Sequence, residues 1–192
     1  HTYNPPLNLK IASNIPTLFC PIEMARGHPI SLTNNNKPVA NTLARSQSAS
    51  KNLFVWDYTV QFANYMSPFP NLSYFEENYT TFKANNVKGL FVQGYADVPG
   101  DFSELRQYLL AKLLWDASID VKATTADFLR GFYGKAASEI ENYLKLLSEN
   151  QKKSKAYLDI YSGPVQNRTT YLTPEAMNQY DKFLENAWQS VY

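Results

Sequence analysis

Three short apolar runs in the first half of the chain each end at a residue able to do chemistry. Leu18-Phe19-Cys20-Pro21-Ile22 runs into Glu23. Leu53-Phe54-Val55-Trp56 runs into Asp57-Tyr58, and Val87-Lys88-Gly89-Leu90-Phe91-Val92 into Gln93-Gly94-Tyr95. A brief, nearly unbroken apolar run fits a strand buried on both faces, as in a parallel sheet covered by helices. In open α/β sheets and α/β barrels the site lies at the carboxyl ends of such strands. The acids, the aromatics and the amide therefore stand where that architecture puts a site.

The segments between and after these runs extend the pattern. Residues 1–16, with Pro5, Pro6 and Pro16, read as a linker. Residues 27–52 read as a long polar loop around Asn34-Asn35-Asn36, with a short helix near 40–44. Phe75, Tyr79 and Phe82 recur at helical spacing and predict a helix over 72–85, giving strand, helix, strand. Beyond Tyr95 the chain turns helical. Asp101 and Glu104 fit a capping box ahead of a helix over 102–115. Further helices are expected over 121–133, stopped by Gly134, and over 136–152. An extended link follows near 157–160. Thr173 then caps a last helix, with Pro174 in its first turn and Met177, Tyr180, Leu184, Trp188 and Val191 as its apolar stripe.

The fold class expected is thus α/β: strand and helix units over 1–100, then a helical half over 101–192. Three strands cannot close an eight-stranded barrel. Either the sheet is small, or other strands belong to sequence outside these residues. The chain starts at His1 rather than Met, which reads as a processed or excised piece.

Charge excludes some classes. Eighteen Lys and Arg against 17 Asp and Glu leave a net charge of +1. That argues against a dedicated nucleic-acid surface, which needs a clustered basic footprint. The densest basic stretch, Lys152-Lys153-Ser154-Lys155, reads as a solvated helix end. No apolar run approaches the roughly 20 residues of a membrane-spanning helix. The one cysteine, Cys20, allows no intrachain disulfide and lies in an apolar run, where an inert buried thiol is expected. Asn71, Asn78 and Asn167 each open a glycosylation sequon.

The carboxylates come first among candidate site residues. If their strands are neighbours, Glu23 and Asp57 can face one cleft. Glycoside hydrolysis needs two such acids, one protonating the leaving oxygen and the other acting as nucleophile or base. The bland alternatives are that Asp57 caps the turn after its strand and that Glu23 pairs with Arg26. Arg26 offers a planar fork for a carboxylate, and His28 can move protons or bind a hydroxyl. One His without a partner at ligand spacing is no metal site, and no metal or cofactor is expected. Trp56, Tyr58, Phe62, Tyr65 and Tyr95 crowd the same strand ends, where aromatic rings can stack on sugar faces. Gln93 can bind a hydroxyl through its amide.

Five blocks occur in order: 53–58 (LFVWDY), 68–72 (PFPNL), 89–94 (GLFVQG), 104–115 (ELRQYLLAKLLW) and 128–137 (FLRGFYGKAA). The series resembles a bacterial family described only as a domain of unknown function. That family is common among gut Bacteroidetes and is grouped with TIM-barrel glycoside hydrolases, near the α-glucuronidases and hexosaminidase-like barrels. The resemblance covers about residues 18–180. It implies the later strands of a barrel followed by a helical extension, with the first half of the barrel outside this sequence. Acids near the ends of late strands act as the base in α-glucuronidase-like barrels, and Glu23 and Asp57 are the matching positions here. The resulting expectation is a glycoside hydrolase fragment, with Asp57 and Glu23 catalytic and Arg26, His28, Trp56, Tyr58, Gln93 and Tyr95 binding a carbohydrate ligand. Such a protein is expected outside the cytoplasm. The alternatives are a non-catalytic glycan-binding barrel and a structural or interaction module.

Overall fold

The computed structural model describes residues 5, 8, 10–31, 34–95 and 98–192; parts of the expected linker over 1–16 lie outside them. Three strands, β1 (Thr17–Phe19), β2 (Leu53–Tyr58) and β3 (Gly89–Gln93), form a parallel sheet in the order β1-β2-β3. Leu18 pairs with Phe54 in the first ladder. Trp56 pairs with Phe91, and Tyr58 with Gln93, in the second.

The connections are helical. Helix α1 (Lys37–Ala49) joins β1 to β2, and α2 (Phe75–Ala84), entered through the 3₁₀ turn Leu72–Tyr74, joins β2 to β3. Both helices cover the same face. Val39 and Leu43 of α1 and Phe82 of α2 pack together with Phe19, Leu53 and Val55. Helix α1 is far longer than the short helix expected near 40–44. Pro38 pre-sets its first turn, and the small polar residues Thr42 and Ser46 are buried on its inner side beside Val39 and Leu43. Polar residues facing inward hid the helical period.

The other face of the sheet is open, which corrects the expectation of strands covered on both sides. Along β2, Leu53, Val55 and Asp57 are buried toward the helices, while Phe54, Trp56 and Tyr58 point away. Leu18, Phe54 and Phe91 on that face are 53%, 38% and 56% exposed. The apolar run looked continuous because apolar residues occupy both faces of β2. Period-2 alternation appears only once the helices are in place. The Phe54 ring lies across Gly89, where a Cβ would approach its ring carbons to 2.9 Å, so glycine fits that site.

Helices α3 (Ser103–Trp115), α4 (Val121–Tyr133), α5 (Ala137–Ser154) and α6 (Pro174–Gln189) build the second half. Leu105, Leu109 and Leu113 of α3 pack against Phe75 and Tyr79 of α2, Val121 and Leu129 of α4 and Ile140 of α5. One core therefore runs across residue 100. The 3₁₀ turn Gly134–Ala136 follows α4, and its Gly134 holds a φ of +54° that L side chains rarely adopt.

Two details of the helices differ from expectation. The capping box at α3 does not form: Phe102 occupies the N-cap with a left-handed backbone, φ 49° and ψ 44°, and Asp101 is used elsewhere. The inner face of α6 is Ala176, Tyr180 and Ala187, while Met177, Leu184, Trp188 and Val191 of the expected stripe are exposed. Alanines let α6 lie close on α5, so the large residues beside them are turned outward. Thr173 caps this helix as expected, accepting from the Ala176 amide at 3.3 Å.

Between α5 and α6 the chain runs extended over 156–159, which agrees with the expected link near 157–160. This strap spans the loops beyond the carboxyl ends of β1 and β2. The Arg26 amide donates to the Leu158 carbonyl (2.6 Å) and the Phe62 amide to the Ile160 carbonyl (2.8 Å).

Candidate functional site at the carboxyl ends of the strands

The two candidate acids are held in different ways. Asp57 is the third inward residue of β2, so its side chain lies on the helix side of the sheet, away from Trp56 and Tyr58. There it accepts from Arg26 Nη1 at 2.6 Å, both groups being buried. The same guanidinium donates to the Pro21 carbonyl at 2.6 Å. Its carbon lies 5.7 Å from the Tyr58 ring centre. The ion pair thus closes the turn after β1 onto β2. Glu23 is exposed in that turn, four residues past the end of β1. Its carbonyl accepts from the Tyr157 hydroxyl at 2.7 Å. The expectation that both carboxylates face one cleft beside the aromatics is corrected here: a strand alternates sides, and Asp57 falls on the covered one. Arg26 pairs with Asp57, not with Glu23.

His28 is half-buried on the helix side, its ring centre 6.4 Å from that of Tyr74. The loop around it is stitched by Asn36. That buried amide accepts from the Ala25 amide (2.8 Å) and donates to the carbonyls of Ala25 (2.9 Å) and His28 (3.0 Å). An Asn-rich run reads as a loop in sequence; its third residue is the bolt of the loop that holds Arg26.

The aromatic candidates do come together. Trp56 meets Phe91 edge-on at 4.8 Å and stacks with Tyr58 at 6.3 Å. The row continues from Tyr58 to Phe62 (6.2 Å), Tyr65 (6.0 Å) and Tyr95 (5.2 Å). Gln93 sets the Trp56 indole by accepting its N–H at 2.9 Å. Phe62 and Tyr65 ride on the loop after β2, which Arg106 of α3 fixes from below. Buried Arg106 donates to the Phe69 carbonyl (2.6 Å), to the Asp101 carboxylate (2.6 Å) and to the Asn71 side chain. Tyr95 is tied to the same knot through the Asp101 carbonyl, to which its hydroxyl donates at 2.8 Å. Burial pushes the Tyr95 hydroxyl from the usual 10.0 up to about 12, so it stays protonated and can donate.

Cys20 lies beside Tyr58. Burial raises its thiol, with a hydrogen bond to Tyr58 acting the other way, so the thiolate is disfavoured and the residue is a poor nucleophile. The Tyr58 hydroxyl is raised as well, first by burial, then by Cys20 and by Tyr161 of the strap. Sequence reasoning missed the strap residues Tyr157, Asp159 and Tyr161. Only their alternation with the apolar Leu158 and Ile160 hinted at a half-buried extended segment.

A groove of about 530 Å³ lies elsewhere, between the Phe69–Glu76 region, α4 and α5. Arg106 on its floor is already engaged by Asp101 and Asn71. Among the described residues no group of three or more His, Cys, Asp or Glu is placed to hold a metal ion, and no helix is long and apolar enough to cross a membrane.

No curated protein and no solved structure matches the chain. The profile of one family does, over residues 1–145, a stretch that includes the whole sheet, the aromatic row and the Arg26–Asp57 pair. The chain belongs to that family, described as a domain of unknown function, DUF4838.

Proposed function

We propose that this chain supplies an aromatic wall of a carbohydrate-binding cleft in a (β/α)-barrel protein of glycoside-hydrolase type. The observation that carries the reading is the row Phe91–Trp56–Tyr58–Phe62–Tyr65–Tyr95 along the open sheet face and its carboxyl end. Sugars present flat C–H faces, which rest on aromatic rings while tyrosine hydroxyls and a fixed amide take up sugar hydroxyls. A sequential parallel order with both helices on one face supports a barrel arc, because a doubly wound sheet places helices on both faces. The open face then looks into the barrel, and strands from sequence outside these residues complete it. The lower residues Leu18, Phe54 and Phe91 fill the interior, and the rings from Tyr58 to Tyr95 stand at the mouth, where ligands bind.

Glycan hydrolysis is a second reading, favoured by the exposed Glu23 at the mouth end of β1. Hydrolysis adds water across the glycosidic C–O bond, one acid giving a proton to the leaving oxygen and a base taking one from water. Glu23 is positioned for one such role. Asp57, bound to Arg26, serves by holding the Glu23 turn in place. A carbohydrate role of this kind fits a location outside the cytoplasm.

Titration of the full chain with a panel of oligosaccharides tests the reading. Binding that falls about tenfold or more in Trp56→Ala and Tyr58→Ala supports it. Binding with no turnover, unchanged in Glu23→Gln, removes hydrolysis and leaves the binding wall. No binding by any sugar, from a chain that melts cooperatively, removes both.

A further inference from the structure

Resting on the carbohydrate reading, we infer that the strap over 156–162 is part of the ligand site. Its Tyr157 and Tyr161 form a second aromatic wall, and the Glu23 and Asp159 carboxylates beside them select neutral, hydroxyl-rich sugars over uronic acids.

The argument begins with the strap's alternation. Leu158 and Ile160 are buried and anchor it, while Tyr157 and Tyr161 are 48% and 64% exposed. The anchoring is specific. Backbone bonds from Arg26 and Phe62 clamp the strap across the loops that follow β1 and β2. The buried Gln61 amide donates to the Ser162 carbonyl. Two exposed tyrosines on a clamped backbone lose little entropy on binding a ligand, unlike rings on a mobile loop.

Their position is the mouth. The Tyr157 hydroxyl is bonded to the Glu23 carbonyl. It also senses the charges of Asp159, Arg26 and Glu23. Tyr161 acts on the hydroxyl of Tyr58, the ring that opens the mouth end of the first wall. The charge there is negative. Arg26 is buried and neutralised by Asp57, whereas Glu23 is exposed. One Asp159 oxygen accepts from the Tyr161 and Ser162 amides at 2.7 and 2.8 Å, which fixes its carboxylate beside the two rings. The fixed Asp159 carboxylate and the exposed Glu23 carboxylate repel a uronate and still accept from neutral hydroxyls.

Calorimetric titration of the full chain with cellohexaose, xylohexaose and hexagalacturonate tests the inference. At least one neutral hexasaccharide is expected to bind at least tenfold more tightly than hexagalacturonate. Tyr161→Ala, at an exposed ring, is expected to weaken that binding about tenfold with an unchanged melting temperature, and Tyr157→Ala to weaken it similarly. Trp115→Ala, on the exposed end of α3, is expected to leave it unchanged. Glu23→Gln combined with Asp159→Asn is expected to narrow the gap for hexagalacturonate. If binding depends on Trp56 but survives both strap substitutions, the strap inference is overturned and the first wall stands. If hexagalacturonate binds as tightly as the neutral sugars, the selectivity is overturned. If no probe binds, the carbohydrate reading falls and takes the inference with it.

Discussion

At the scale of single residues, burial separates two acids that the sequence presents as equivalent. Asp57 is buried against Arg26, and removing one partner of such a pair strands a charge at low dielectric. Asp57→Ala should therefore cost about 3–5 kcal/mol. Glu23→Ala should stay within about 0.5 kcal/mol, as exposed substitutions do. Denaturant unfolding of the two variants checks this, and equal losses would refute the assignment. The same logic settles the three sequons. Asn71 donates to the Thr59 carbonyl, Asn78 accepts from the Ile30 amide and Asn167 donates to the Gly163 carbonyl, all three being buried. A glycan on any of them is incompatible with this fold. Tyr79 is the reverse case, since its buried hydroxyl has no hydrogen-bond partner among the described residues.

At the scale of elements, the helix ends show which local signals hold. Asp120 caps α4 by accepting from the Ala123 amide at 2.9 Å, and Thr173 caps α6. Asp101 looked like a cap in sequence, but the nearby buried Arg106 outbids the backbone for its carboxylate. Thr173→Ala should cost about 1 kcal/mol, the usual worth of an N-cap. Asp101→Ala should cost about 3–5 kcal/mol because it unpairs a buried guanidinium. Thermal or denaturant melts of the two variants distinguish a cap from a buried ion pair. The strands, α4 and the α6 cap were legible because local patterns mark them. Helix α1 and the inner face of α6 were not, because Thr42 and Ser46 share the packed side of α1 with Val39 and Leu43, and Ala176 and Ala187 share that of α6 with Tyr180.

At the scale of the whole molecule, buried tyrosines tie stability to alkaline pH. Burial raises the hydroxyl of Tyr95 from 10.0 to about 12, and those of Tyr143 and Tyr171 higher still. A raised folded-state value means that the unfolded chain gives up these protons first. Their contribution is fully present below pH 10.0 and is lost as pH rises toward and through about 12. Melting temperature should be insensitive to these groups up to pH 10.0 and fall steeply above it, with tyrosinate absorbance rising in the same transition. Tyrosinate formation well before unfolding would show that these rings are not enclosed.

The sequence by itself determined that short apolar runs alternate with helices, that the second half is helical, and that acids and aromatic rings gather where the strands end. Those features are local, written in runs, periods and caps of a few residues. Only the tertiary structure decided which side of the sheet each residue faces. It put Asp57 under the helices with Arg26, left Trp56 and Tyr58 on the open side, and brought Tyr157 and Tyr161 from the helical half to the ends of β1 and β2. A strand's two faces carry similar side chains in this sequence. The choice between them is made by helices packing from elsewhere in the chain, and a reading along the chain does not contain that contact.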